Sequence, residues 1–221
     1  MISKTGAALI TFSFFGLIGL TINFDNLKPT SFPPYWTAVT TRPQEPARWE
    51  VLRDSTAPSR PNVFARVSGV PNNSEYALAV FDKVICRDGD LSVKFKIASG
   101  ARRVKTAGIV WRYQDPRNYY LLDFNADDKN IGLVRVENGQ RHPIPLHGGK
   151  PGGLEVPHDL RTGQWYVAKV VFRGDSIRVL FDNRQLFDAV DASLSTPGKT
   201  GLWTRGGTEA SFDDFRIDRK G

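Results

Sequence analysis

Residues 90–97 alternate strictly, with Leu91, Val93, Phe95 and Ile97 on one face and Ser92, Lys94 and Lys96 on the other. A period of two predicts a β-strand with one side in a core and the other in water, as in an antiparallel sheet. The same grammar recurs at 48–54, 62–68, 76–81, 105–113, 117–125, 130–137 and 139–146, and again at 164–173, 176–182, 185–190, 199–205 and 209–218. Short turn signals separate these runs, among them residues 114–118, Asn138-Gly139, residues 173–175 and residues 182–184. Helical periodicity is almost absent after residue 24, and no unit repeats. Roughly a dozen strands without crossover helices predict an all-β chain folded as two packed antiparallel sheets in one domain.

Two stretches depart from this pattern. Met1-Ile-Ser-Lys4 is a short basic start, after which Thr5 to Phe24 carries no charge before Asp25. A run of about 20 apolar-leaning residues is long enough to span a bilayer, and its position and flanks are those of a signal peptide or membrane anchor. The expectation is one N-terminal hydrophobic helix over residues 1–23, a sandwich over 24–221, and an extracytoplasmic location: secreted, periplasmic or membrane-anchored. The run has no small-x-small cleavage site and no lipobox cysteine, so an uncleaved anchor stays open. Residues 24–36 read as a short first strand followed by an extended wrap, and His147-Gly-Gly-Lys-Pro-Gly-Gly153 as a surface loop long enough to lie over a sheet face.

Composition adds limits. A chain of 221 residues, 40% hydrophobic, can bury one sizeable core. Its 30 Lys and Arg against 23 Asp and Glu leave a net charge of +7, but the basic residues are dispersed and no nucleic-acid motif accompanies them, so no nucleic-acid partner is expected. Cys86 is the only cysteine, which excludes an internal disulfide and reads as a small buried apolar residue.

Most catalytic signatures are missing. Gly198-Lys-Thr200 lacks the upstream glycine of a phosphate loop, Ser193 standing there, and a strand-like segment rather than a helix follows. His142, His147 and His158 show no metal-ligand spacing, and there is no Gly-x-Ser-x-Gly elbow. Glycan hydrolysis requires two carboxyl groups roughly 5–10 Å apart, yet none of the six glutamates (45, 50, 75, 137, 155 and 209) belongs to a Glu-x-Asp-x-Glu strand. What the hairpin of residues 105–125 does carry is Trp111, Arg112, Tyr113, Tyr119, Tyr120 and Asp123, with Arg135 on the next strand. Aromatic faces against sugar C–H surfaces and Arg or Asp against hydroxyl pairs are how proteins hold glycans. The alternative is that the aromatics are core and Arg112 and Asp123 form a cross-strand pair.

The ordered motifs Phe24-Asp25, Pro33-Pro-Tyr-Trp36, Trp49-Glu-Val, Gly108-Ile-Val-Trp-Arg112, Asn118-Tyr-Tyr120, Phe172-Arg-Gly-Asp175, Phe181-Asp182, Gly201-Leu-Trp-Thr204 and Phe212-Asp-Asp-Phe-Arg-Ile217 make the chain resemble exported bacterial jelly-roll domains of the concanavalin A-like lectin and glucanase superfamily. That group includes laminin-G-like modules, domains named for 3-keto-disaccharide hydrolysis and family-sixteen glycanases, so the resemblance implies a jelly roll without implying catalysis. It also implies a structural calcium, since in related sandwiches an aspartate at the position of Asp213 binds one together with the N-terminal strand, here at Asp25. The match is incomplete, because Asp214 replaces an aromatic residue. Alternation places Asp213 on the face of Phe215 and Ile217, and Asp214 with Phe212 and Arg216.

Three functions remain. The leading one is a non-catalytic module binding a carbohydrate or envelope polymer on its concave sheet through Arg112, Tyr119, Asp123, Arg135 and Trp203. The second is a glycoside-hydrolase-like enzyme whose acids, Asp123 with Glu137 or Glu155, come from loops. The third is a structural or adhesive envelope domain, favoured if its own apolar side chains fill the concave face.

Overall fold

A computed structural model describes residues 11–12, 19–41, 47–67, 76–99, 104–147 and 152–220. In chain order the strands are β1 (Thr11–Phe12), β2 (Gly19–Ile22), β3 (Trp36–Thr40), β4 (Trp49–Arg53), β5 (Asn62–Arg66), β6 (Tyr76–Cys86), β7 (Asp88–Ile97), β8 (Thr106–Asp115) and β9 (Asn118–Asn125). They continue as β10 (Asn130–Glu137), β11 (Gln140–Pro143), β12 (Glu155–Pro157), β13 (Tyr166–Arg173), β14 (Ser176–Phe181), β15 (Arg184–Val190), β16 (Gly198–Arg205) and β17 (Ala210–Lys220). Sheet A runs β1-β2-β17-β7-β13-β14-β15, with the β4–β5 hairpin joined to β17 through β5. Sheet B runs β11-β10-β9-β8-β16-β6-β3, with β12 also beside β10. Every pairing is antiparallel. The chain passes from β6 in sheet B to β7 in sheet A and back to β8, then later from β15 to β16 to β17, so consecutive strands cross between layers as a jelly roll requires.

The core lies between the sheets. Leu91, Val93, Phe95 and Ile97 of β7, with Ala168, Val170 and Phe172 of β13, meet Ala107, Ile109 and Trp111 of β8 and Tyr120, Leu122 and Phe124 of β9. Phe95 stacks on Phe124 at 4.3 Å between ring centres, and Trp111 on Tyr120 at 5.4 Å. Burial of these faces drives the sheets together, and the offset rings add specificity to the packing.

Two expectations change. The described part of the apolar N-terminal run is extended, not helical: β1 and β2 are strands, and the rest of that run lies outside the described residues. β2 pairs with the last strand, Ile22 opposite Phe215 and Leu20 opposite Ile217, because the C-terminal half of β17 would otherwise present unpaired backbone groups at a sheet edge. Among the described residues no helix is long and apolar enough to cross a membrane. The second change is in β17. Asp214 adopts φ 47° and the register shifts between Asp213 and Arg216, so Phe212, Phe215 and Ile217 all enter the core. Asp213 is thereby separated from the face of Phe215 and Ile217, while Asp214 meets Lys94 at 2.7 Å. A one-residue bulge overturns strict alternation in this way.

The pairing of β2 has a measurable consequence. A chain starting at residue 24 is expected to melt roughly 3–10 °C below one starting at residue 19, at about 2–4 °C per kcal/mol lost. Equal melting temperatures would show that β2 adds nothing.

Candidate functional site

The outer faces of the two sheets differ in kind. On sheet A the charges satisfy one another: Lys94 with Asp214, Lys96 with Asp54, Lys169 and Arg173 with Asp90, Arg178 with Asp188, and Arg216 with Asp218. Such a face offers little to a ligand. On sheet B the outer face holds a second apolar cluster of Leu78, Val80, Val110, Tyr113, Tyr119, Leu121, Val134, Val136 and Trp203. This face is concave. Arg141 on β11 and Tyr76 on β6 are five strand spacings apart, about 24 Å on a flat sheet, yet the Arg141 guanidinium carbon lies 5.4 Å from the centre of the Tyr76 ring. Only a curled sheet brings those side chains together.

One rung of paired residues crosses this face: Val39, Leu78, Trp203, Gly108, Asp123, Gly132 and Glu155. Glycines therefore flank Asp123 on both sides. A Cβ on Gly108 would meet Leu121 Cδ1 at 2.6 Å and Trp203 Cε3 at 3.2 Å, and one on Gly132 would meet Glu155 Cγ at 3.2 Å. The indole leans over one glycine and the glutamate over the other, so Asp123 sits between a tryptophan and a second carboxylate.

The polar groups here are incompletely paired. Asp123 Oδ2 accepts a hydrogen bond from Arg141 Nη2 at 2.7 Å. Asp123 Oδ1 and Arg141 Nη1 are buried without a hydrogen-bond partner, whereas the Trp203 indole N–H faces the Tyr119 oxygen. Each unpartnered group costs about 1–3 kcal/mol when left unmet. Burial pushes the Asp123 carboxyl above its ordinary value, with the Glu155 charge adding to the effect and Arg141 and Arg205 opposing it. Burial likewise raises the Tyr119 phenol. The Arg141 guanidinium lies over Trp203 as well as Tyr76, at 5.5 Å, and Asn130 donates to Glu155 Oε2.

Of the residues expected from sequence, Tyr119, Asp123 and Trp203 come together on this face. Arg112 does not join them. A bulge between Trp111 and Asp115 turns it, at φ 47°, into the end of the sandwich, where it donates to the carbonyls of Arg87, Leu194 and Gly174 at 2.9, 3.0 and 2.6 Å. Arg135 points to the other side of β10 and pairs with Asp191, which also accepts from the Tyr120 hydroxyl at 2.6 Å. Glu137 lies 3.3 Å from Arg135, whereas Glu155 shares the rung of Asp123. Sequence reasoning missed Arg141 and Tyr76. The signal for Arg141 was the Asn138-Gly139 hairpin, whose register sets Arg141 opposite Val136, on the concave side.

Asp25 and Asp213 do meet, across Ser59. Ser59 donates its hydroxyl to Asp25 Oδ2 and its backbone N–H to Asp213 Oδ2 at 2.8 Å, while Asn62 N–H reaches Asp25 Oδ1 at 3.1 Å and Asp214 N–H reaches Asp213 Oδ1 at 2.7 Å. All four carboxylate oxygens are thus met by protein donors. Two features nevertheless fit a cation: Asn62 Oδ1 is buried without a partner, and burial, with the charges of Asp214 and Asp25, pushes Asp213 up to about 7. Calcium takes 6–8 oxygens, and among the described residues no three His, Cys, Asp or Glu side chains gather into a metal cluster.

Two antiparallel sheets crossed by consecutive strands, with a polar rung on the concave face of sheet B, define a jelly-roll sandwich. The chain belongs to the 3-keto-alpha-glucoside-1,2-lyase-like domain family, whose pattern it matches over residues 44–218. No curated protein matches it. Among solved structures it is similar to the carbohydrate-binding module CBM66 from Bacillus subtilis, with 20% identity, a TM-score of 0.62, and 83% of this chain and 95% of that one covered. It is also similar to a putative glycosyl hydrolase from Parabacteroides distasonis, at 15% identity, a TM-score of 0.50 and coverage of 84% and 99%. The exoplasmic/lumenal domain of VIP36, in a form bound to Ca2+ and Man3GlcNAc, matches at 12% identity, a TM-score of 0.54 and coverage of 85% of each chain.

The raised Asp213 sets a pH dependence. Between its ordinary value of 3.8 and about 7 the native state holds a proton that the unfolded chain has released, so stability falls as pH rises through that window, by a few kcal/mol at most. Melting curves from pH 4 to 8 should show this decline, and Asp213→Asn should flatten it. An equal slope in both proteins would contradict the assignment.

Proposed function

We propose that this domain binds a carbohydrate on the concave face of sheet B, without chemistry of its own, through Asp123, Arg141, Tyr119 and Trp203. The observation that carries the reading is a pair of buried, unpartnered polar atoms, Asp123 Oδ1 and Arg141 Nη1, on one aromatic-lined face. Sugar hydroxyls both donate and accept, and sugar C–H faces rest on aromatic rings, so a glycan supplies what these groups lack. The likeness to a carbohydrate-binding module and to a mannose-oligosaccharide complex supports the same reading. On a glycan array the full chain is expected to bind, and Glu155→Gln and Asp123→Asn to weaken binding at least tenfold with the fold retained by circular dichroism. A blank array for the wild-type chain would remove the reading.

A second reading, a sugar-cleaving enzyme, is favoured by one observation: Asp123 and Glu155 stand on either side of Gly132. The chemistry named for the family, 1,2-elimination from a 3-keto-α-glucoside, needs a base to take the proton at C2, acidified by the neighbouring carbonyl. It also needs an acid to protonate the glycosidic oxygen as the C1–O bond breaks. Two carboxyl groups flanking one ring could divide those roles. Release of an unsaturated keto-sugar, lost in Asp123→Asn, would promote this reading; binding without turnover would leave the first in place. The third reading, a structural or adhesive domain, draws support from the apolar cluster that fills the middle of the concave face.

Two further features belong to the same proposal. The uncharged N-terminal run supports export, by a cleaved leader or an anchor. A structural calcium held by Asp25 and Asp213 is supported by their approach across Ser59 and by the orphan Asn62 oxygen. An ion there would offset the repulsion between the two carboxylates. Chelator should then lower the melting temperature, and an unchanged value would show that hydrogen bonds alone close the clasp.

A further inference from the structure

We infer that the domain rests on an anionic membrane surface through the end of the sandwich at which β6 gives way to β7. The inference specifies how the uncharged N-terminal run, proposed above as a leader or anchor, meets a bilayer: by lying on it and not by crossing it. A crossing helix needs about 17–25 apolar residues. β2 takes Gly19–Ile22 into sheet A and Phe24 is buried in the core, so residues 5–18 are all that is left of the run. They are too few to span. Residues 13–18, Ser-Phe-Phe-Gly-Leu-Ile, lie outside the described structure, yet both their neighbours are placed: Phe12 stands opposite Leu20, and Gly19 opposite Asp218. This apolar segment therefore starts and finishes near the end of sheet A where Lys220 pairs with Asp88.

The described residues at this end fit such a surface. Lys83, Ile85 and Arg87 are exposed at alternate positions as the chain leaves β6, Ile85 to 54%, and the Lys83 ammonium lies 4.1 Å from the centre of the Tyr35 ring, itself 48% exposed. A Cβ on Gly89 would meet Cys86 Sγ at 3.5 Å and the Asp218 backbone oxygen at 3.2 Å, so β17 brings its last cations, Arg219 and Lys220, beside the same corner. Among the described residues Lys83, Arg87, Arg219 and Lys220 form no salt bridge. The carboxylates beside them are already engaged: Asp88 accepts from the Gly174 N–H at 2.7 Å and lies 3.4 Å from Arg112 Nη2, Asp90 is held by Lys169 and Arg173, and Asp218 by Arg216. Asp175 is exposed, but in the β13–β14 turn, separated from β17 by β7 and β13. At the opposite end of the sandwich the cations are paired, Lys105 with Asp127 and both Lys129 and Arg161 with Asp159. Unpaired cations around exposed apolar side chains suit a bilayer interface, the cations drawn to anionic headgroups and the apolar groups dipping among them.

The test uses the full chain with vesicles of phosphatidylcholine alone and of phosphatidylcholine mixed with phosphatidylglycerol. Binding to the anionic vesicles is expected to be at least about tenfold tighter than to the neutral ones and to weaken as salt is added. Arg87→Gln and Arg219→Gln should each weaken it about fivefold, and Ile85→Ser should weaken it as well, with circular dichroism unchanged. Arg161→Gln, at the other end, should stay within about twofold of the wild-type chain. No binding, equal binding to both vesicle types, or an equal loss in Arg161→Gln would overturn the inference. Retention in cell membranes after alkaline carbonate extraction would show that the run crosses the bilayer, overturning the inference while leaving export intact. Vesicle binding by a chain that fractionates with the cytoplasm would uphold the inference and remove the export reading.

Discussion

A carboxylate among leucines and valines is a costly arrangement, and on the concave face of sheet B it is met by the 2.7 Å hydrogen bond from Arg141 to Asp123, with the Arg205 charge also favouring it. The contact depends on the fold at long range. Arg141 comes from a four-residue strand at the sheet margin and reaches Asp123 and the far aromatic wall because the sheet curls. Curvature, in turn, is set by packing against sheet A, where alternating apolar residues of β7 and β13 fill the space between layers. The polar site is thus a consequence of the core, with two glycines making room for it.

The two faces of the sandwich divide the work. Sheet A neutralises its own charges and takes up the chain's first described strands, so its outer side is a solvated, closed surface. Sheet B buries an apolar cluster on its outer side and leaves unmet hydrogen-bonding capacity beside it. A protein whose concave face had only to be stable could replace Asp123 and Arg141 with aliphatic residues at little cost. Their presence, with orphan atoms on both, is what points to a ligand.

Much of the sandwich was legible in the sequence, because period-two alternation survives wherever one sheet face is buried. The run 90–97 and the strand 130–137 fall within or coincide with β7 and β10. What could not be read were departures from period two. The bulges at Arg112 and Asp214 each redirect a charged residue, and β2 lies in the uncharged run whose composition predicted a helix. The site was half visible: Tyr119, Asp123 and Trp203 stand on predicted strands, whereas Arg112 and Arg135 are consumed by contacts at the ends and inner side of the sheets. Arg141 was hidden because its partners are distant in sequence, and no local pattern reports a contact created by curl.

The five tryptophans offer the most direct measurement of the central claim. Trp36, Trp49 and Trp111 lie in the core, Trp165 donates to Thr56 on the sheet A side, and Trp203 lies under Arg141. In nitrogen-15 correlation spectra of the protein titrated with a bound oligosaccharide, the Trp203 indole and Arg141 guanidinium resonances should shift while the other four indoles stay in place. Shifts centred on Trp165, or none at Trp203 and Arg141 when the sugar binds, would contradict the account.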